Sequence, residues 1–364
     1  MRPFQALDQW LQQNEYQALL VTKPENIGYL TDFWGSFGVY LQTSSGARVL
    51  LTDGRYQETA TALASARGYE FSLYQGGVPE AFTALTKANL AVEDSLTLAE
   101  FKKFENWFNR STLTPESGVI EDLRRVKSET ELNLMRKAQA QVDAVLIPFL
   151  KANLKFGITE AQLKFKLDQT LRAEGRYGLS FESIVVFGAG SALPHYLSGD
   201  RPLDFGDNIL IDCGVIDRHY CSDMTRNFIF GEGSKGYLAD YTTLLQVQNK
   251  TLQQVKSGVK ARDLDLGCRE GLGDLAALFV HSLGHGVGLE IHEAPTLSKK
   301  SEDRLQTNEV VTIEPGIYRP DKYGIRIEDT TIVQQNGNKV LTQTTKDLLS
   351  FDEAGAVQTL LANA

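Results

Sequence analysis

Short apolar runs alternate with amphipathic segments along the first third of the chain. Three of the runs are bounded by Gly, Ser or Asp and rich in strand-favouring residues, which predicts β-strands. They are residues 18–22, 37–43 and 47–53. Residues 56–66 and 101–108 instead carry apolar positions at helical spacing. Alternating strands and helices are typical of wound sheets, so we expect an α/β domain over residues 1–121.

A charged connector follows this domain and leads into a helical pattern. Ser128 and Glu131 form a capping-box pattern, in which each residue satisfies a backbone N–H of the other at the start of a helix. Apolar residues then recur at helical spacing as far as Pro148, which we expect to disturb the helix near its end. A second capping-box pattern, Thr159–Gln162, predicts another helix, closed by Gly175.

Long strand-like runs dominate the remainder and are interrupted by helical patterns between residues 237 and 277. The runs are residues 181–187, 208–216, 219–230, 310–318 and 324–333. Helices grouped apart from antiparallel strands are typical of α+β folds. We therefore expect a second, α+β domain over residues 122–364.

Composition narrows the classes of function. The 364 residues are 42% hydrophobic and 23% charged, as in globular domains with a full core. A net charge of −9 argues against nucleic acid as a partner, because phosphate binding needs a basic surface. We find no apolar run long enough to span a membrane, and the first 20 residues predict an amphipathic helix rather than a signal peptide.

The cysteines give little support to a thiolate metal site. The chain has three cysteines, Cys213, Cys221 and Cys268, which is an odd number without CxxC spacing. This favours a reducing cytoplasmic compartment. Cys213 and Cys221 flank two aspartates, but we interpret them as residues that pack between strands.

Four carboxylates and one histidine lie in or beside the strand-like runs of the second domain. They are Asp212, Asp223, His285, Glu314 and Glu328. This oxygen-rich ligand set suits two divalent cations that share bridging carboxylates. Such ions activate water and polarise carbonyl groups, so the set predicts a hydrolase.

The spacing of the two aspartates predicts that they face each other. If the runs around them form a hairpin with a two-residue turn at Asp217 and Arg218, Asp212 lies directly opposite Asp223. Directly opposite residues have Cβ atoms roughly 5 Å apart.

The glutamates repeat this arrangement. Glu314 and Glu328 are equally distant from a turn centred on Asp321, so a hairpin there also pairs them. Facing like charges destabilise a sheet unless something neutralises them, and a pair of cations does so directly.

The histidines cluster in the same part of the chain. All five lie between residues 195 and 292. His285 has glycine on both sides, which permits close approach to a metal. We assign His195 and His292 to the catalytic site, leave His281 open between a supporting role and packing, and place His219 at the surface.

Arg326 is a further candidate. It shares a predicted strand face with Glu328, because residues i and i+2 of a strand point the same way. It either orients that carboxylate or contacts the substrate.

These motifs, in this order, resemble those of the pita-bread metallopeptidases, in particular Xaa-Pro aminopeptidases and Xaa-Pro dipeptidases (prolidases). The second domain carries LPH, DCG, SDMTR, HSLGHGVG, HEAP, EPGIY and GIRIED. The first carries NIGYLTDFWGS and LLTDGRYQETA, which are similar to a creatinase-type N-terminal domain. The resemblance covers essentially the whole chain and implies a creatinase-type domain followed by a pita-bread catalytic domain.

The resemblance also implies roles for individual residues. Asp212, Asp223 and Glu328 hold both metals, and His285 and Glu314 complete the ligand set. Glu314 in addition carries protons, His292 stabilises the oxyanion, and His195 contacts the substrate on its proline side. The implied metal is Mn, Co, Zn or Fe, and the oxygen-rich ligand set favours Mn.

One departure from the family bears on substrate length. Some prolidases carry an arginine just after the HExP phrase that binds the carboxylate of a dipeptide, and here that position is Thr296. We therefore expect an Xaa-Pro aminopeptidase that accepts longer peptides, with a strict dipeptidase as the alternative. A methionine aminopeptidase does not need the first domain, creatinase lacks the metal ligands, and a metal-free binding module is a distant alternative.

Relatives of this kind are commonly homodimers in which the N-terminal domain reaches the partner's active site. Phe33 and Trp34 are the candidates for that contact, because they look exposed in the sequence. The alternative is that both residues pack within their own loop.

Overall fold

The computed structural model describes residues 3–83, 85–174, 178–194 and 196–363. The chain divides into two compact units, Met1–Arg124 and Arg125–Ala364. Each unit has its own hydrophobic core. Within the described residues, no helix is both long and apolar enough to cross a bilayer.

The first unit is a mixed six-stranded sheet with helices. Its helices are α1 Pro3–Gln13, α2 Pro24–Thr31, α3 Gln57–Arg67 and α4 Leu98–Trp107, and α5 Glu121–Arg125 follows. Its strands are β1 Ala18–Val21, β2 Val39–Thr43, β3 Arg48–Thr52, β4 Glu70–Leu73, β5 Asn89–Glu93 and β6 Thr112–Glu116. They are ordered β4-β3-β2-β1-β5-β6. The α/β prediction is confirmed.

Both faces of this sheet are buried. Along β1, Leu19 and Val21 belong to one apolar cluster, whereas Ala18 and Leu20 belong to another. Successive side chains of a strand point to opposite faces, so the two clusters lie on opposite sides of the sheet. This explains why the first strands are continuously apolar rather than alternating.

The expected exposure of Phe33 and Trp34 is wrong for Phe33. Phe33 is only 2% exposed and its ring lies edge-on to that of Tyr56, with centroids 5.4 Å apart. The ring of Trp34 is half-buried and lies so close to Gly28 that a Cβ there would be 2.4 Å from it. Both aromatic rings therefore pack within their own unit.

The long helix of the second unit starts as predicted but ends later. Its helices are α6 Glu129–Asn153, α7 Glu160–Glu174, α8 Lys235–Gln254 and α9 Ala261–Leu272. Both predicted capping boxes are present, whereas Gly175 lies outside the described residues. Helix α6 continues past Pro148 and buries Phe149 and Leu150 beyond it. A proline inside a helix costs about 3 kcal/mol, and two buried side chains of this size offset that cost at about 1.5–3 kcal/mol each.

Among the described residues, the strands of the second unit form two five-stranded sheets and two smaller ones. Their bounds are β7 Gly178–Leu179, β8 Ile184–Phe187, β9 Asn208–Cys213, β10 Val215–Asp217, β11 Tyr220–Cys221, β12 Met224–Phe230, β13 Gly284–Gly286, β14 Glu293–Leu297, β15 Val310–Ile313, β16 Gly316–Arg319, β17 Tyr323–Arg326, β18 Asp329–Gln334, β19 Gly337–Val340, β20 Leu348–Phe351 and β21 Val357–Leu361. The sheets are ordered β21-β20-β12-β9-β8, β14-β13-β15-β18-β19, β11-β10-β7 and β16-β17. The α+β prediction for this unit is confirmed.

Four of the predicted long strands are each divided in two. The interruptions lie at Gly214, Ser222–Asp223, Glu314–Pro315 and Ile327–Glu328. At every interruption the chain passes from a five-stranded sheet to a smaller one or back. Pro315 favours an interruption because proline has no N–H to donate to a ladder. Gly214 favours one because the backbone of Ser222 approaches it closely: a Cβ at Gly214 would lie 2.0 Å from the carbonyl oxygen of Ser222.

The register confirms the predicted glutamate pairing. Ile313 pairs with Asp329 and Gly316 pairs with Arg326, so Glu314 and Glu328 occupy equivalent positions between these pairs. The two carboxylates therefore lie where both strands leave the ladder.

The predicted pairing of Asp212 with Asp223 is wrong by two residues, because the turn lies one residue further along the chain than predicted. Asp212 pairs with Thr225, and the turn is formed by Arg218 and His219, whose φ angles are 46° and 73°. In this register Asp223 lies diagonally from Asp212 rather than opposite it. Two-residue hairpin turns with positive φ usually contain Asn or Gly, and Arg-His carries no such signal.

Close backbone approach makes Gly324 of β17 a sensitive position. A Cβ there would lie 1.8 Å from the carbonyl oxygen of Ser191, so Gly324→Ala is expected to lower the free energy of unfolding by about 2 kcal/mol. Gly267 of α9 is the matched control, because its Cβ would meet only Gln254 at 3.7 Å and alanine favours helices by up to about 1 kcal/mol. Urea unfolding followed by circular dichroism measures both. Equal stabilities for the two variants would contradict the prediction.

Candidate metal centre

Three of the predicted ligands converge in the second unit. Single ligand atoms of Asp223, His285 and Glu328 all lie within 4.8 Å of one another. Asp223 precedes β12, His285 is the middle residue of β13, and Glu328 connects β17 to β18. The strand interruptions thus bring side chains from different sheets to one place.

Glu314 adjoins this group through His285. Its Oε1 lies 3.3 Å from Nε2 of His285, which is also 3.5 Å from Oδ2 of Asp223. The Glu314 backbone is fixed because its N–H donates to the carbonyl of Leu283 at 2.9 Å, next to the start of β13.

The tautomer of His285 is set by its other nitrogen. Nδ1 lies 3.1 Å from the carbonyl oxygen of Gly286, which only accepts hydrogen bonds, so Nδ1 carries the proton. Burial lowers the pKa of His285 to about 4, so the ring is neutral near pH 7. Nε2 therefore presents a lone pair to two carboxylates, an arrangement that a cation between them stabilises.

Asp212 joins the centre through a hydrogen-bonded chain. Its Oδ2 accepts a hydrogen bond from Nη2 of Arg326 at 2.5 Å, and Nε of Arg326 donates to Oγ1 of Thr225 at 3.0 Å. The Thr225 hydroxyl donates in turn to Oε2 of Glu328 at 2.7 Å. Two carboxylates are thus connected through one guanidinium and one hydroxyl.

The predicted shared strand face of Arg326 and Glu328 is wrong, because the strand is interrupted between these two residues. The guanidinium instead bonds to Asp212 directly and is connected to Glu328 through the Thr225 hydroxyl.

Crowding of the carboxylates raises their pKa values. Burial, followed by the charge of Glu328, holds the pKa of Asp223 and of Glu314 well above the usual range. Burial and the charge of Asp212 raise the pKa of Glu328 to about 7. Two divalent cations neutralise such a cluster, and carboxylate and imidazole ligands suit them, so the residues present fit a metal pair.

The described structure also supplies partners that the sequence patterns left without a role. Nε2 of His281 lies 2.9 Å from the Tyr318 hydroxyl, which is 3.0 Å from Nη1 of Arg326. His281, which the sequence left open, therefore supports the arginine that bonds to Asp212. Tyr318 and Thr225 stand in the EPGIY and SDMTR phrases, and that position was the only sequence signal for them.

The remaining candidates have different outcomes. The exposed ring of His292 lies beside that of His285, with centroids 4.4 Å apart. His195 lies outside the described residues.

Cys213 and Cys221 are buried, which raises the pKa of the Cys213 thiol well above its usual value and the pKa of the Cys221 thiol to about 12. Both thus remain protonated, as expected for packing residues.

Comparison with known families covers both units. Residues 133–335 match the metallopeptidase family M24, and residues 4–126 match the creatinase/prolidase N-terminal domain. The chain belongs to metallopeptidase family M24. As an M24 peptidase it is a hydrolase of a family that uses divalent metals, with a creatinase-type domain followed by a pita-bread catalytic domain.

Individual relatives of this M24 peptidase extend over nearly its full length. The Xaa-Pro dipeptidase of Pyrococcus horikoshii is 31% identical over 94% of the chain and 97% of that protein. The structure of an Xaa-Pro dipeptidase from Bacillus anthracis matches with a TM-score of 0.91 and 32% identity over 96% of the chain and 99% of its own. The structure of an X-Pro aminopeptidase from Thermotoga maritima matches with a TM-score of 0.84 and 30% identity. This match covers 92% of the chain described here and 98% of the Thermotoga chain.

The raised pKa of Glu328 makes a prediction about the metal-free protein. At pH 8 the folded state holds a buried carboxylate charge that the unfolded chain exposes to water. Stability is therefore lost as the pH rises from the ordinary value of 4.5 through about 7. Glu328→Gln is expected to raise the free energy of unfolding by about 2–3 kcal/mol at pH 8 and by less at pH 5.

Urea unfolding in the presence of a chelator at both pH values measures this difference. Asp274→Asn, at an exposed carboxylate, is the control and is expected to change stability little at either pH. A Glu328→Gln protein that is less stable than the original chain at pH 8 would count against the crowding argument.

Proposed function

We propose that this chain hydrolyses the peptide bond between an amino-terminal residue and a following proline, and that Xaa-Pro dipeptides are its principal substrates. The main support is the convergence of Asp223, His285 and Glu328 in a chain that is similar over nearly its whole length to Xaa-Pro dipeptidases. An Xaa-Pro bond is a tertiary amide without an N–H, so it needs a dedicated site.

We propose that two divalent ions, Mn in preference to Co, Zn or Fe, bind at this centre. Asp212, Asp223, His285, Glu314 and Glu328 would hold them. Bound ions of this kind lower the pKa of water and polarise the scissile carbonyl. The oxygen-rich ligand set is the reason for preferring Mn.

The remaining steps use side chains of the chain itself. The raised pKa of Glu314 suits a carboxyl that takes up and returns a proton at Oε1. His292, whose exposed ring lies beside that of His285, would donate to the oxygen of the scissile carbonyl. Arg326 would orient Asp212, and His195 would contact the proline side of the substrate.

A second candidate function is an Xaa-Pro aminopeptidase that accepts longer peptides. Thr296 pairs with His285 across β13 and β14 and is exposed. Threonine lacks the charge with which an arginine at this position would bind the carboxylate of a dipeptide.

A peptide panel decides between the two functions. We expect kcat/KM for Xaa-Pro dipeptides to exceed that for Xaa-Pro-Yaa tripeptides by at least about tenfold, since the free carboxylate of a dipeptide contributes at least about 1.4 kcal/mol of binding. Xaa-Ala dipeptides are the control for proline specificity. A clear preference for tripeptides would instead establish the aminopeptidase.

The ligand assignment has its own test. His285→Ala and Asp223→Asn are each expected to lower kcat/KM by at least about a hundredfold and to reduce bound metal, because removing a ligand costs more than the 10–100-fold typical of its supporting partners. Asp274→Asn, at an exposed carboxylate of the same unit, should retain activity and metal. Metal analysis and kinetics on the same preparations measure both. Full activity in His285→Ala would refute the assignment.

We also propose a homodimer in the cytoplasm. The buried free thiols Cys213, Cys221 and Cys268 fit a reducing compartment. Sedimentation equilibrium measures the mass of the assembly against the 40.4 kDa of one chain.

A further inference from the structure

A buried arginine lies directly behind the candidate metal centre. Arg226 follows Thr225 in β12 and is only 1% exposed. Among the described residues it is the largest residue whose side chain is fully buried. Burying a guanidinium is costly unless its charge is paired and its five N–H donors are bonded. Its partners therefore indicate what the arginine does.

The guanidinium holds three segments together. Nε lies 3.1 Å from the carbonyl oxygens of both Thr344 and Thr345. Nη2 donates to Oδ1 of Asp329 at 2.7 Å and to the carbonyl of Thr344 at 2.8 Å. Nη1 donates to the carbonyl of Thr225 at 3.0 Å and to that of Glu328.

The bond to Glu328 is the informative one. Glu328 lies at the interruption between β17 and β18, so it belongs to neither strand and stands outside the registers that pair these strands with β15, β16 and β19. Its N–H donates to the carbonyl of Thr225 at 3.3 Å, and its carbonyl accepts from Arg226. Two consecutive residues of β12 thus replace the missing ladder bonds, as buried backbone groups require.

The charge of Arg226 is balanced by the residue next to Glu328. Asp329 bonds to Arg226 and accepts further hydrogen bonds from Nζ of Lys346 at 2.8 Å and Nε2 of Gln248 at 3.0 Å. Although burial opposes the effect, Arg226 and Lys346 hold the pKa of Asp329 below its ordinary value. Two cations therefore share one carboxylate, but within the described part of the chain only Arg226 of the two bonds to the backbone of Glu328.

We propose that Arg226 is a positioning residue of the metal centre: its guanidinium, held by Asp329, fixes the backbone of Glu328 at the strand interruption and thereby sets the affinity for divalent ions. This inference rests on the proposed function, in which Glu328 is a metal ligand. A lysine would keep the charge but lacks the planar fork that spans Asp329, Glu328 and Thr344 together.

Titration calorimetry of the chelator-treated full chain with MnCl₂ tests the proposal. Arg226→Lys is expected to weaken Mn²⁺ binding by about 10–100-fold, the range typical of residues that orient metal ligands. Lys346→Met is the matched control, because it removes the other cation from Asp329 without touching Glu328. We expect it to lower the melting temperature but to keep the dissociation constant within about threefold of that of the original chain, since its effect is on stability alone.

The outcomes separate the inference from the proposed function. If the original chain binds no Mn²⁺, the proposed metal centre is wrong and the inference fails with it. If the original chain binds and Arg226→Lys binds equally well, or Lys346→Met weakens binding as much as Arg226→Lys, only the inference is overturned.

A variant that does not fold is replaced by a milder one. Asp329→Asn keeps the size of the side chain and removes the charge that holds both Arg226 and Lys346, and Lys346→Met separates the effect of the second cation. It is expected to weaken Mn²⁺ binding in the same direction, and unchanged binding in folded Asp329→Asn protein would overturn the inference. Circular dichroism establishes folding before each titration.

Discussion

Mutual repulsion of buried carboxylates is the constraint on which the catalytic unit depends. Asp212, Asp223, Glu314 and Glu328 approach one another in a region where burial raises the pKa values of Asp223, Glu314 and Glu328. The neutral His285 contributes a lone pair rather than a charge to this group. Such an arrangement is unfavourable on its own and becomes favourable when divalent cations occupy it, so binding of cations there would also stabilise the fold.

The strand interruptions make this approach possible. A side chain inside a regular ladder lies on one face of one sheet, whereas the interruptions at Asp223, Glu314 and Glu328 let residues from several sheets meet. Each interruption also removes ladder hydrogen bonds, and the backbone of the acidic residue finds other partners. The carbonyls of Thr225 and Leu283 accept from Glu328 and Glu314.

Arginine side chains connect the acidic residues to the rest of the unit from two directions. Arg326 lies among Asp212, Thr225 and Tyr318, and through Tyr318 it reaches His281. Arg226 lies behind Glu328 and is balanced by Asp329. A guanidinium suits both places because its donors form a planar fork that serves several acceptors at once.

Local patterns in the sequence were sufficient for the two fold classes, both capping boxes and the metal-ligand candidates, because each depends on residues close together in the chain. They also predicted the pairing of Glu314 with Glu328, whose turn is symmetric about Asp321. The pairing of Asp212 with Asp223 was missed because Arg218 and His219 form a turn without a turn signal. Only the tertiary structure decided that the long strands are interrupted and that Thr225, Tyr318 and Arg226 bond to Glu328 or Arg326, since the partners of these three residues lie up to 119 residues away along the chain. No local pattern encodes such contacts, because they exist only once several sheets have packed together.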